Sequence, residues 1–189
     1  MFLLNRSIAL ATASFALNLI LALAASATDP KTKTSSSGMT LTSSAFREGA
    51  TIPQKFTADG SNFSPELRWS GAPPQTKTFA LICDDPDAPG GKWVHWVLYD
   101  VPSGMAHLAE GVATEDNLPS GAKQGTNSFF KIGYGGPSPP PGKAHRYFFK
   151  LFALDRSLSL KPGRSAPEVE KAMGGHILGE AKLMGRYGR

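Results

Sequence analysis

The stretch "GYGGPSPPPGKAHRYFFKLFALD", Gly133 to Asp155, sets two kinds of chain side by side. Its first ten residues hold eight glycines and prolines. Proline fixes φ and removes a backbone donor, and glycine carries no Cβ, so these residues form a stiff loop that a sheet ladder does not absorb. From His145 the pattern changes. Tyr147, Phe149, Leu151 and Ala153 fall on one face of a strand by period two, and Phe148, Phe152 and Leu154 on the other. A turn alone needs two or three such residues, so the length of the loop implies that something sits against it.

Outward from this strand, similar runs recur. "MTLTSSAF" alternates, and "TIPQKFT" reads as a short edge strand because of Pro53. "PELRWSG" is bounded by Pro65 and Gly71. "KTFALICDD" is continuously apolar up to its two aspartates, the pattern of a central strand buried on both faces. "KWVHWVLYDVP" is another, and "SFFKIGY" is a weaker one. Strands every ten to fifteen residues with turn signals between them imply a mainly β fold, an antiparallel β-sandwich. One or two short helices are expected. "SAPEVEKAMGGH" supplies the one near the C-terminus, with Ser165 as N-cap, Pro167 in the first turn, Glu168 three residues after the cap and Gly174-Gly175 at the stop. "ILGEAKLMGRYGR" then reads as a final strand or an irregular extension.

A chain of 189 residues is expected to form one domain, and 20 Gly and 15 Pro favour many short elements joined by loops. The net charge is +5, but the basic residues are scattered, so a nucleic-acid footprint is not expected. Cys83 is the single cysteine, which excludes a disulfide within the chain and any multi-cysteine metal site. It lies in an apolar run and reads as a buried, inert thiol. Residues 1–27 have one basic residue (Arg6), an apolar run and then Ala25-Ser26-Ala27, the pattern of a signal peptide cleaved after Ala27. Retention as an anchor is the alternative. Residues 28–38 contain almost no apolar side chain and read as a flexible linker, with the domain at 39–189. Export follows, to the periplasm where the host has an outer membrane.

Three places break the apolar pattern. In "CDDPDAPGGKW" a buried strand runs into Asp84, Asp85, Pro86, Asp87 and Pro89; carboxylates this close repel unless a cation compensates, although a surface turn of Asx type is the plainer reading. His95 interrupts an apolar strand, sharing a face with Trp93 and Val97, as many core histidines do. At the loop, Gly133, Gly135 and Gly136 allow close approach, and their successive N–H groups could form an anion-binding concavity. His145 and Tyr147 follow on one face. Arg146 lies on the other, where an ion pair with the acidic turn is the structural reading.

Together, "DDPDAP", "WVHWVLYDVP" and "GGPSPPPGKAHRYFFKLFALD" resemble the phosphatidylethanolamine-binding protein family; "SPELRWSGAPPQTKTFAL" and "GHILGEAKLMGRYGR" resemble its bacterial Raf kinase inhibitor-like branch. The resemblance spans Met39 to Arg189. It implies an antiparallel β-sandwich with a small anion pocket built from Asp85, Asp87, His95, Gly136, Pro137, His145 and Tyr147, with Arg146, Pro86 and Pro89 in support. It also implies a cis peptide in the acidic turn, with Ala88-Pro89 as the candidate bond. Many bacterial members carry a cysteine where this chain has Ser138, which puts thiol-dependent properties at that position in doubt.

The expected ligand is phosphate or a phosphorylated head group. The histidines, Tyr147 and the glycine N–H groups would donate, while Asp85 and Asp87 would orient the histidines or receive a cationic end. No G-x-S-x-G elbow and no recognisably activated Ser, Cys or Thr is present, so binding without catalysis is expected, with weak acid–base hydrolysis as a lesser alternative. No His pair has local ligand spacing, and neither a metal nor a cofactor is expected. A protein partner such as a protease, held through the Gly/Pro loop, is the other reading. Peripheral contact with membrane lipid and a homodimer are left open.

Overall fold

The computed structural model describes residues 38–189. The expected signal peptide and all but the last residue of the expected linker lie outside the described residues.

Two antiparallel sheets face one another. The smaller has three strands: β1 (Thr40–Thr42), β2 (Leu67–Ser70) and β5 (His107–Leu108), in the order β1-β2-β5. The larger is formed by β3 (Thr78–Asp85), β4 (Trp93–Pro102), β6 (Lys123–Gln124), β7 (His145–Leu154) and β8 (Ile177–Tyr187), in the order β6-β4-β3-β7-β8. Every residue of β3 is buried, as its unbroken apolar run predicts, and β3 is the middle strand. On β7 the alternation places Tyr147, Phe149, Leu151 and Ala153 fully inside, whereas Phe148 and Phe152 are half-buried.

The inner faces of both sheets share one core. Leu41, Leu67 and Trp69 of the small sheet pack with Leu81, Trp96, Leu98, Phe149 and Leu183 of the large one. The outer face of the large sheet is covered by helix α1 (Ala166–Met173), whose Ala166, Val169 and Met173 pack on Ala80, Ile82, Val97 and Tyr99. This explains why β3 and β4 have no polar face: each lies between two apolar layers. A capping box at Ser165 and Glu168 starts α1, and it holds the Glu168 carboxyl down at about 2.

Two expected strands are absent. "TIPQKFT" makes one isolated parallel bridge, Thr51 to Arg186, and then a 3-10 turn over Gln54–Phe56, because Pro53 cannot donate to a ladder. "SFFKIGY" is a clamped turn. The buried Asn127 side chain accepts from the backbone N–H groups of Phe129 (2.9 Å) and Lys131 (3.1 Å), an Asx-type arrangement that competes with a ladder.

Candidate anion pocket

The antiparallel order brings three strand ends together. β3 ends at Asp85, opposite Trp93 at the start of β4. β7 pairs with the other edge of β3, so its first residues, His145 to Tyr147, arrive at the same end. Sixty residues of chain thus separate two side chains that touch. A β-bulge supplies a further side chain. Cys83 pairs with Trp96 and Asp84 with Val94, leaving His95 as the extra residue. Its effect is to turn His95 toward the strand ends with Trp93, while Val97 packs under α1. The expected shared face of His95 and Val97 is therefore corrected by the bulge.

These ends enclose a cavity of about 230 Å³, lined by Asp85, Ala88, Pro89, Gly90, Trp93, His95, Phe129, Ser138, Pro139, Pro140, His145 and Tyr147. Asp85 and His145 form a buried pair, His145 Nδ1 to Asp85 Oδ2 at 2.8 Å. A carboxylate oxygen accepts, so Nδ1 carries the proton and Nε2 is left to face a ligand. The second Asp85 oxygen accepts from the N–H of Asp87 at 2.8 Å.

His95 Nδ1 lies 2.6 Å from the carbonyl oxygen of Gly135. A carbonyl cannot donate, so Nδ1 again carries hydrogen. Burial pushes the pKa of His95 below its ordinary 6.5, with the Gly135 carbonyl and the Asp85 charge opposing. At neutral pH the ring is uncharged and Nε2 accepts. The ring meets Tyr147 edge-on at 5.1 Å and Phe129 at 5.4 Å; Phe129 meets Trp93 in the same way at 5.4 Å. Two buried donors at this wall, the Tyr147 hydroxyl and Trp93 Nε1, have no hydrogen-bond partner among the described residues. Burial, reinforced by the Asp85 charge, raises the Tyr147 pKa, so the phenol keeps its proton.

Five other residues named from sequence, Asp87, Arg146, Pro86, Pro137 and Gly136, stand apart from the cavity lining. Asp87 faces Arg146, which binds both its oxygens (Nε to Oδ2 2.8 Å, Nη2 to Oδ1 2.7 Å) and adds a backbone N–H at 3.0 Å. That grip holds the Asp87 carboxyl at about 2 and turns both its oxygens to Arg146. Pro86 is exposed in the turn, whereas Pro89 lines the cavity. Pro137 is buried, and its carbonyl accepts from the N–H of Ala58 at 2.9 Å. Gly136 belongs to a neighbouring cavity, and its N–H donates to Asn62 Oδ1 at 2.7 Å. With the N–H of Gly135 given to the His95 carbonyl at 2.8 Å, the expected glycine concavity has lost two of its donors. Its place as the wall is taken by Ser138, Pro139 and Pro140.

All peptide bonds among the described residues are trans, which overturns the expected cis bond; the acidic turn closes instead by Gly91 N–H to Ala88 O at 2.9 Å, with Gly91 at φ 95°. No group of three or more His, Cys, Asp or Glu among the described residues is arranged to hold a metal ion.

The sequence reading missed Trp93, Phe129 and a charged cluster at the rim. Trp93 was findable, because it precedes His95 by two residues on one strand. Phe129 carries no local signal. At the rim Asp59 accepts from Arg189 Nε (2.9 and 3.0 Å) and from the Tyr187 hydroxyl (2.7 Å), and Arg189 Nη2 reaches Ser138 Oγ at 3.1 Å. This pairing holds the Asp59 carboxyl at about 2 and places a guanidinium on a cavity-wall residue.

Comparison with known proteins agrees with this architecture. A family model described as phosphatidylethanolamine-binding protein matches residues 42–188. A UPF0098 protein of Methanothermobacter thermautotrophicus is 50% identical over 151 residues, which cover 80% of this chain and 99% of that protein. The crystal structure of a phosphatidylethanolamine-binding protein homologue, CT736 of Chlamydia trachomatis, superposes with a TM-score of 0.74 at 40% identity, covering 82% of this chain and 99% of that one. YbcL of E. coli, described as a member of the mammalian family, gives 0.75 at 33% identity, covering 80% and 98%. The chain belongs to the phosphatidylethanolamine-binding protein family.

Proposed function

We propose that this member of the phosphatidylethanolamine-binding protein family is an exported binding protein whose 230 Å³ cavity takes a phosphate or a phosphorylated head group without transforming it. The single observation that carries the reading is the Tyr147 hydroxyl, buried at the cavity near Asp85 and the His95 ring without a well-formed hydrogen bond to protein. A buried hydroxyl left unmatched costs about 1–3 kcal/mol, and an acceptor oxygen of an anion relieves it.

The protonation pattern fits an anion that still bears one hydrogen. Tyr147 O–H donates to a phosphate oxygen. Neutral His95 accepts a hydrogen bond from P–OH at Nε2, and His145, oriented through Nδ1 by Asp85, presents Nε2 to the same anion. Both oxygens of Asp85 and of Asp87 already accept hydrogen bonds, so these carboxylates orient and brace the site. A cationic end of the ligand would find the Trp93 and Phe129 rings instead. The leader-like residues 1–27 support export.

Calorimetric titration with inorganic phosphate and with phosphoethanolamine tests this. One saturable site is expected for each ligand, lost in His95→Ala and His145→Ala. Equal weak binding to all three proteins would end the reading.

A further inference from the structure

One side chain contradicts every local rule. Phe130 is 92% exposed and sits at φ 59°, a conformation in which a bulky side chain is strained. Asn or Gly would suit this backbone better, and a polar residue would suit this exposure better. The turn that holds Phe130 is rigid. The N–H of Asn127 donates to the Lys131 carbonyl at 2.9 Å, that of Phe130 to the Asn127 carbonyl at 3.0 Å, and Asn127 Nδ2 to the Gly133 carbonyl at 3.0 Å. Ser128 pins the turn to β4 through two bonds with Val94, at 2.8 and 2.9 Å.

The position of this turn suggests what the ring meets. Phe129 forms part of both the anion cavity and a second cavity of about 500 Å³ beside it. Phe130 directly follows Phe129. Phe63, another exposed large apolar side chain at 48%, directly follows Asn62 of the second cavity. Exposed Lys131 lines that cavity too. Lys131 thus lines the second cavity, and two exposed aromatic residues are the immediate chain neighbours of its lining residues Phe129 and Asn62. At 230 Å³ the anion cavity is below the roughly 300–1,000 Å³ that encloses a drug-sized ligand, so it admits a head group and leaves acyl chains outside.

We infer that the 127–131 turn is a bilayer anchor, with Phe130 entering the interface of a leaflet and Lys131 meeting its phosphates while a lipid head group occupies the cavity. This rests on the anion-pocket reading for the identity of the lipid group but not for the anchoring itself. A ring held out by a rigid turn loses little entropy on insertion, and a basic residue at an anionic surface adds to the attraction.

The test uses sedimentation with vesicles of phosphatidylethanolamine and phosphatidylglycerol, alongside calorimetry with soluble phosphoethanolamine. Phe130→Ser should lower vesicle partitioning about tenfold, equivalent to about 1.4 kcal/mol, and leave soluble-ligand affinity unchanged. Phe130→Asn should lower partitioning similarly while raising the melting temperature, because Asn tolerates this φ; a merely structural Phe130 would give the opposite shift. Vesicle partitioning equal for wild type and both variants, including none for any of them, would overturn the anchor and leave the pocket reading standing. Partitioning that depends on Phe130 without any binding of phosphoethanolamine would support the anchor and remove the pocket reading.

Discussion

Replacing Tyr147 by Phe removes one oxygen and keeps the ring that packs against His95. In the free protein that oxygen is buried without a well-formed hydrogen bond to protein. An unsatisfied buried hydroxyl costs about 1–3 kcal/mol, so the variant should be more stable by about 1 kcal/mol, the lower end of that range. For a domain of this size that corresponds to a melting temperature about 2–4 °C higher. In the complex the same oxygen donates to an anion, a bond of about 1.5–3 kcal/mol, so phosphate affinity should fall at least tenfold. The two effects have opposite signs, which separates a ligand donor from a structural tyrosine. Differential scanning calorimetry gives the first number and isothermal titration the second. A variant that melts lower and binds phosphate unchanged would refute the reasoning.

The pH dependence follows from His95, whose pKa is lowered mainly by burial. A histidine buried neutral contributes stability that is present above its unfolded pKa of about 6.5 and is lost as pH falls through the folded value. The proposed complex keeps that preference, because neutral His95 accepts from P–OH, so Nε2 of His95 should stay unprotonated at pH 7 when phosphate binds, as read by imidazole nitrogen NMR. Arg146→Ala frees Asp87 from a solvent-screened bidentate pair and should shift the urea midpoint only slightly downward. Because Asp87 is held at about 2, its contribution is present above the unfolded value near 3.8 and lost as pH falls toward 2; the variant should lack that part of the acid transition. Gly136→Ala would place a Cβ 2.6 Å from both Asn62 Oδ1 and the Phe56 carbonyl oxygen, and should destabilise by roughly 1–3 kcal/mol in thermal melts.

The strands that carry the fold were legible because burial writes itself into period. β3 reads as a run without polar interruption, and β7 as strict alternation. Segments whose backbone bonds go to side chains were misread. The apolar content of Ser128 to Tyr134 suggests a strand, yet Asn127 takes the N–H groups that a ladder would use. The site was legible as residue types and less so as roles. His95 is conspicuous, but its orientation depends on a bulge that no single sequence reveals. Asp85 and Asp87 look alike in sequence and differ in space, one braced on His145 and the other on Arg146. Phe129, Asp59 and Arg189 reach the pocket through tertiary contacts alone.

The central claim is that His95 and His145, each carrying hydrogen on Nδ1, turn Nε2 toward one small anion. Long-range proton–nitrogen NMR of the imidazoles during a phosphate titration measures it most directly. The account predicts that free His95 shows a protonated Nδ1 and a bare Nε2 at pH 7, and that the Nε2 signals of both rings move together along one saturation curve. Imidazole signals that stay fixed while phosphate reaches millimolar excess, or two curves with unrelated midpoints, would contradict it.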